Sequence, residues 1–439
     1  MNESELTSSD TTTPRIYSRS EHSISRNNID PDALKIMYRL LQHGFKAYVV
    51  GGGVRDLLLG KTPKDFDIAT DARPRQIKSL FRNSRIIGRR FKLVHVFFSQ
   101  HKIIEVSTFR DFQDEFEAED EAEGGPSNGA LRDNKFGTEA TDARRRDITI
   151  NGLFYDLSTF SIIDYVGGVE DLRHGLIRVI GDPRERFLED PVRLVRVVRH
   201  AARTGFRIEQ QAREAMLDLH GLVEKSVAVR LYVELQKDLT SGYCLKTLRM
   251  MEEMQLLGHF LPELTGSVLA ANTYLSRSLF RFDQFKKEEG VSSCTAVLAL
   301  LALTPVLREP SSSRLIESLH SRMMIKELVS NAFPRLAVPR RERERLAELL
   351  LLWFALRSPS GRPPRLSSIA KAGCFPDLML FARVMETEAE DAELLAELES
   401  LAHNAPPRER SGPPQKRRRR RSRRRAPEGD TPEFVEEEE

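Results

Sequence analysis

Apolar and polar positions alternate in short runs up to about residue 170 and recur at helical spacing beyond residue 182, which predicts a strand-rich first part and a helical remainder. Residues 46–50, 65–70, 93–98, 103–109, 153–156 and 161–166 read as strands. Ser99, Gln100 and His101 read as the turn of a hairpin joining the third and fourth of these. Ahead of them, Asp30 and Pro31 read as an N-cap and first helical residue. Leu34, Met37, Leu40 and Leu41 supply that helix with its buried stripe, and Gly44 ends it. Residues 1–29 are rich in Ser, Thr and Asn and predict disorder; 112–130, acidic and then rich in Gly and Pro, predict a mobile surface loop. No strand is expected after Asp182-Pro183. The fold class is therefore α+β, a small mixed or antiparallel sheet with flanking helices followed by an all-α part.

At 439 residues the chain exceeds one ordinary core. Its divisions fall at a disordered 1–29, a sheet-bearing head at 30–172, helical regions at 173–265 and 266–404, and a low-complexity Arg-rich tail with an acidic end at 405–439. Cys244, Cys294 and Cys374 are scattered, without CxxC spacing, so neither a disulfide framework nor a zinc site is expected. Apolar runs such as 295–307 and 349–356 fall short of the ~20 residues a membrane span needs. A polar, acidic N-terminus shows no secretory pattern, and a cytoplasmic protein without membrane contact is expected. The net charge of +3 hides an asymmetry, because residues 416–425 alone carry nine positive charges and leave the rest acidic.

Gly60-Lys61-Thr62 resembles the end of a phosphate-binding P-loop, but six residues rather than four separate Gly53 from Gly60. Leu57, Leu58 and Leu59 suit a short buried helix instead. Asp65 and Asp67, at i and i+2 in an alternating segment, share one face if extended, and two such acids repel unless a cation lies between them. Glu105 interrupts an otherwise apolar strand and offers a third acid. Three acids on adjacent strands can hold two divalent cations, which in turn bind triphosphate oxygens. Solvated acids at an exposed sheet edge are the alternative. Gly51, Gly52 and Gly53 lie between a strand and a helix, where backbone N–H groups attract anions. Trp353, in a Leu-rich helical stretch, reads as a core residue.

Five segments in order, GGGVRDLLLG at 51–60, DFDIAT at 65–70, RRDITIN at 145–151, DYVGGVEDL at 164–172 and EDPVR at 189–193, resemble the motifs of the bacterial tRNA nucleotidyltransferase and poly(A) polymerase family. The resemblance implies a nucleotidyltransferase head with helical neck, body and tail regions clamping RNA. It implies that Asp65, Asp67 and Glu105 hold two Mg2+ ions, with Mn2+ acceptable, and that Gly51, Gly52 and Arg55 border the triphosphate. Asp147 would contact the ribose with Arg146 and Asn151 nearby, and Asp190 and Arg193 would template the base. A carboxylate beside a guanidinium matches adenine and cytosine equally, so ATP and CTP are not separated by that pair. The helix face bearing Arg193, Arg196, Arg199 and Arg203 could equally be solvated or paired with acids such as Glu185 and Glu189.

Segments 131–138 (LRDNKFGT) and 88–96 (GRRFKLVHV) resemble the poly(A) polymerase branch, while Gly152 and His200 depart from the family's usual residues. The resemblance therefore implies template-independent addition of AMP from ATP to RNA 3′ ends. A CCA-adding or A-adding tRNA nucleotidyltransferase is the alternative within the family, and a noncatalytic RNA-binding protein the alternative outside it. Lys416, Arg417, Arg418, Arg419, Arg420, Arg421, Arg423, Arg424 and Arg425 are expected to contact RNA electrostatically.

Overall fold

The computed structural model describes residues 13–88, 92–99, 102–111, 136–266, 273–307, 322–356, 366–385 and 396–400. The acidic run at 112–130 and the Arg-rich tail lie outside these, as do residues 131–135, 89–91 and the expected turn residues Gln100 and His101. The first part builds one sheet from β1 (Arg15–Tyr17), β2 (Ala47–Val50), β3 (Asp67–Thr70), β4 (Ser84–Ile87), β5 (Leu93–Phe97), β6 (Ile103–Thr108), β7 (Leu153–Asp156) and β8 (Ser161–Asp164). Their order is β1-β8-β7-β2-β3-β6-β5-β4. Only β3 and β6 run parallel, so the sheet is mixed, and β5 and β6 pair antiparallel as the hairpin reading expects.

Helices cover both faces. The residues of β2, AYVV, are all buried, as a central strand between two layers requires. On one face lies α1 (Pro31–Gln42), capped by Asp30 through the backbone N–H groups of Asp32 and Ala33, with Ile36, Met37 and Leu40 buried. Beside it are α2 (Gly52–Leu58) and α3 (Pro74–Leu80). On the other, Tyr48, Val50, Ala69, Phe109 and Phe154 pack with Ala143 of α4 (Glu139–Arg144).

The helical part follows as α5 (Gly168–Arg173), α6 (Pro183–Glu189), α7 (Val192–Thr204), α8 (Gln210–Leu219), α9 (Ala228–Leu239), α10 (Cys244–Glu253), α11 (Leu257–Phe260), α12 (Tyr274–Glu288) and α13 (Cys294–Leu307). Further helices span Arg322–Asn331, Arg340–Leu356, Leu366–Ile369 and Phe375–Met385. The apolar stretch in α13 is a core helix, with every residue from Ala296 to Leu303 buried. No described helix is long and apolar enough to cross a membrane. Trp353 is buried, its ring edge-on to Phe381 at 5.2 Å. Cys244, Cys294 and Cys374 are free thiols.

Two sequence expectations are corrected. Residues 13–29, expected to be disordered, carry β1 and bury Tyr17, Ile24 and Ile29; β1 pairs with β8, far along the chain, and three residues carry no local period to read. A strand does occur after Asp182: β10 (Arg207–Ile208) pairs in parallel with β9 (Leu176–Ile177). Both are two residues long, and each is defined by its partner rather than by its own sequence.

Candidate active site

The sheet register brings the acids to one place. Val50 of β2, Asp67 of β3, Glu105 of β6 and His95 of β5 are successive neighbours across four strands. Because β2 and β3 are antiparallel, the glycines after β2 and the residues entering β3 meet at the same end of the sheet. Asp65 lies in that approach and not within the strand, so the i, i+2 reading holds for Asp67 and not for Asp65. Neither Asp65 nor Asp67 has a hydrogen bond or ion pair among the described residues, whereas Glu105 Oε2 is 3.7 Å from His95 Nε2. Asp67 opens β3 and is exposed to the cavity at the end of the sheet. Its pKa is pushed up to about 6 by desolvation first, then by Glu105, against the pull of Arg146.

Among the described residues, no three His, Cys, Asp or Glu side chains converge closely enough to hold a metal ion. The expected three-acid cluster is therefore not preformed. Two unpaired carboxylates repelling each other still suit a Mg2+-type ion, which is bound through one or two carboxylates and completed by phosphate oxygens and water rather than by a closed protein cage. Glu105, the third expected ligand, stands in register beside Asp67, with His95 Nε2 3.7 Å from its carboxylate.

These acids line a cavity of about 780 Å³ whose other wall is basic. All the sequence-nominated residues of the head and α7 line it: Gly51, Gly52, Arg55, Asp65, Asp67, Glu105, Arg146, Asp147, Asn151, Asp190 and Arg193. Eleven cationic side chains face it against six carboxylates, a surplus suited to a triphosphate. Arg146 donates through NH1 to the Asn151 carbonyl at 3.2 Å and through NH2 to Asp142 at 3.0 Å, which fixes its guanidinium on the rim. Gly51 has φ +67° and caps α2; a Cβ there would lie 2.8 Å from Arg146 NH1. Gly51→Ala therefore combines about 1–2 kcal/mol of backbone strain with a displaced arginine. Steady-state kinetics with nucleoside triphosphate are expected to show KM raised about tenfold, the loss of one charge-assisted contact.

The two departures from the family have local reasons. At Gly152 a Cβ would meet Val166 Cγ2 at 2.6 Å, so alanine or serine does not fit beside this valine. His200 occupies a polar junction: Arg55 NH1 donates to Asn151 Oδ1 at 2.7 Å, Asn151 Nδ2 lies 3.2 Å from His200 Nε2, and Arg55 NH1 lies 3.4 Å from His200 Nδ1. Burial, reinforced by Arg55, Arg196, Arg199 and Arg203, holds its pKa well below the usual 6.5. The neutral ring has one acceptor nitrogen, so it accepts from either Arg55 or Asn151 but not from both. His200→Phe preserves an aromatic ring and removes its polar contact with Arg55 and Asn151, leaving the direct Arg55–Asn151 bond in place. Its expected effect is a rise of roughly two- to tenfold in KM for nucleotide with kcat little changed, one hydrogen bond's worth.

Asp190 and Arg193 do not converge. Arg193 is buried and committed to Asp147 (Nε to Oδ1, 3.1 Å) and to Glu189 (NH1 to Oε2, 2.8 Å). Asp190 accepts from the Val192 N–H at 3.2 Å and pairs with Arg230 of α9 at 2.8 Å. One turn of separation on the sequence thus leaves the pair engaged by different partners. Asp147 is also held by Arg196, at 3.0 Å. Arg199 is neither solvated nor paired with Glu185 or Glu189; it is buried between Glu234 and Asp238 of α9. The sequence reading did not nominate Lys237 or Lys286, which also line the cavity. They come from α9 and α12, where a single lysine carries no motif.

Comparison with known proteins agrees with this architecture. Residues 47–178 match the family model described as the Poly A polymerase head domain, and residues 205–267 match that of the probable RNA and SrmB-binding site of polymerase A. Poly(A) polymerase I of Escherichia coli O157:H7 is 47% identical over 251 residues, covering 57% of this chain and 54% of that one. Its Haemophilus influenzae counterpart is 40% identical over 252 residues, 57% of this chain and 56% of the relative. A CCA-adding enzyme of Bacillus velezensis is 33% identical over 274 residues, 62% of this chain and 65% of the relative. The chain spans about half the length of the curated poly(A) polymerases it matches. Among solved structures, the Bacillus stearothermophilus CCA-adding enzyme in complex with CTP superposes with a TM-score of 0.58 at 23% identity, covering 86% of this chain and 83% of that one. The Thermotoga maritima CCA-adding enzyme complexed with tRNA gives a TM-score of 0.51 at 21% identity, with 85% and 83% covered. Both share the fold.

Proposed function

We propose that this chain, whose residues 47–178 match the Poly A polymerase head-domain model, transfers AMP from ATP to RNA 3′-hydroxyl groups without a template and releases pyrophosphate. The observation that carries the reading is the cavity itself, in which unpaired Asp65 and Asp67 face an arginine-rich wall wide enough for a triphosphate. The higher identity to the poly(A) polymerases than to the CCA-adding enzymes favours adenylation over the tRNA-specific alternative.

Asp65 and Asp67 would hold the divalent ion, Mg2+ or Mn2+, with Glu105 beside them. Bound there, it would acidify the RNA 3′-hydroxyl and offset charge on the departing pyrophosphate. The chain's own groups supply the rest. Gly51 and Gly52 open α2 toward the phosphates, and Arg55 and Arg146 stand where triphosphate oxygens would lie. Asp147, held by Arg193 and Arg196, is fixed to accept from the ribose, with Asn151 close by. Asp190 offers an acceptor to the exocyclic amino group of adenine, which guanine and uracil lack on that edge. RNA enters as the second substrate, the Arg-rich residues 416–425 adding sequence-indifferent attraction.

The test is primer extension with Mg2+, a generic unstructured RNA and each nucleoside triphosphate in turn, beside tRNA trimmed at its 3′ end. Long ladders with ATP alone on generic RNA support the reading. A few residues of C and A added to the trimmed tRNA only would make the protein a tRNA 3′-end builder, and no incorporation on either would leave RNA binding as its activity.

A further inference from the structure

The lining of the catalytic cavity stops at β6, but the row of residues that carries its acids continues across the sheet. Asp67 of β3 stands opposite Glu105 of β6, Glu105 opposite His95 of β5, and His95 opposite Arg85 of β4. The next row out pairs Phe97 of β5 with Ile103 of β6. Val94, Val96, Ile104 and Val106, the alternate residues of these strands, point into the core, so both rows lie on the opposite face. There Phe97 and Ile103 are 37% and 47% exposed, an aromatic and a branched side chain left in water one row from the acids. The Phe97 ring stands edge-on to His95, with centroids 6.3 Å apart. Arg85 is exposed and has no hydrogen-bonding or ionic partner among the described residues.

The direction of the chemistry decides what meets this face. In nucleotidyl transfer the RNA 3′ oxygen bonds to the α-phosphorus, the bond to the pyrophosphate oxygen breaks, and the hydroxyl proton passes to solvent. The entering and leaving oxygens lie roughly in line. Gly51, Gly52, Arg55 and Arg146, the groups suited to the triphosphate, stand on the β2 side of Asp67. The attacking hydroxyl must therefore arrive from the other side, over β6, β5 and β4. Resting on the activity proposed above, we propose that this outer face of the sheet seats the 3′-terminal nucleotide of the RNA, its base stacked on Phe97 beside Ile103 and the phosphate on its 5′ side held by Arg85. The spacings suit one nucleotide. Strands ~4.8 Å apart put the Arg85 backbone about 10 Å from that of Glu105, and two residues along a strand put the Phe97 row about 7 Å from the acids. Stacking on a ring accepts any base, as extension of unrelated 3′ ends requires.

The full chain is tested as Phe97→Ala, Phe97→Tyr and Arg85→Gln. Equilibrium binding is measured, without nucleotide and across a salt titration, to an oligoadenylate of about 6 nucleotides and to the same oligomer lacking the base of its 3′-terminal nucleotide. Phe97→Ala is expected to bind the complete RNA about tenfold less tightly, the loss of one stacked base. It should bind the base-lacking RNA as tightly as the unmodified protein does, and Phe97→Tyr, which keeps a ring, should restore binding of the complete one. Phe97 is exposed, so its removal opens no core cavity and the melting temperature should hold. Arg85→Gln should lower the slope of log K against log salt by about 0.7, one phosphate contact on a single strand. No loss in Phe97→Ala, equal losses on the two RNAs, failure of tyrosine to restore binding, or an unchanged salt slope in Arg85→Gln would overturn the proposal. Incorporation of AMP by the unmodified protein is read separately. Its absence beside an intact base-dependent loss would sink the activity and leave the nucleotide seat, whereas normal incorporation without that loss would do the reverse.

Discussion

Asp67→Asn is expected to lower incorporation of AMP by at least about 10³-fold while leaving the protein folded. Asn keeps the shape of the side chain and removes the charge that would hold a divalent ion, whose contribution to the transition state is several kcal/mol, at 1.36 kcal/mol per tenfold. Single-turnover primer extension measures the loss; an unchanged rate would remove Asp67 from the chemistry. Stability moves the other way. With a folded-state pKa raised from 3.8 to about 6, Asp67 holds a proton more tightly folded than unfolded. Its favourable contribution is therefore complete below the unfolded value and lost as pH rises through about 6. The melting temperature of Asp67→Asn relative to the unmodified protein should shift in the variant's favour between about pH 4 and pH 7. Apparent affinity for Mn2+ should weaken about tenfold per pH unit below that pKa, because one proton competes for the carboxylate.

The second large effect lies outside the phosphate site. Arg199 joins α7 to α9 through Glu234 and Asp238 and also donates to the Glu234 carbonyl at 2.8 Å. Arg199→Ala leaves the Asp238 carboxylate buried and unpaired, and breaking such a pair costs about 3–5 kcal/mol. Denaturant unfolding should show that loss, and adding Asp238→Leu should recover much of it, since an apolar pair carries no desolvation penalty. A loss below about 1 kcal/mol, the worth of a surface ion pair, would mean the pair is solvated. Because α9 also brings Lys237 to the cavity and Arg230 to Asp190 on its wall, the single variant should raise KM for nucleotide as well.

What could be read from the sequence was local. The run AYVV, the stripe of α1 and the apolar α13 announce their environments within a few residues, and the acids stand out because charges interrupt apolar strands. The nominated residues of the head and α7 line one cavity, and most lie in a glycine turn, a strand end or a helix start, places where short motifs fix backbone geometry, whereas Glu105 sits within β6. What escaped depended on distant partners. β1 exists through β8, β10 through β9, and the division of Asp190 and Arg193 between Arg230 and Asp147 depends on how α9 and the 147–151 turn dock against α7. Helical spacing could say that four arginines of α7 share a side; only packing decides that Arg199 is buried against α9 while Arg193 turns to Asp147.

The pairing of β1 with β8 also sets an order of events at the ribosome. Ile16 hydrogen-bonds across from Ile163, so the first strand made cannot find its place until nearly the whole head has been synthesised. At ~5–20 residues per second that wait is on the order of 10 s. Until then β1, whose sheet partner is β8, stays unpaired and open to other chains. A nascent protein built this way gains from a holding factor during that interval, and shortening the N-terminal arm should show itself first as aggregation during synthesis rather than as lost activity in the molecules that mature.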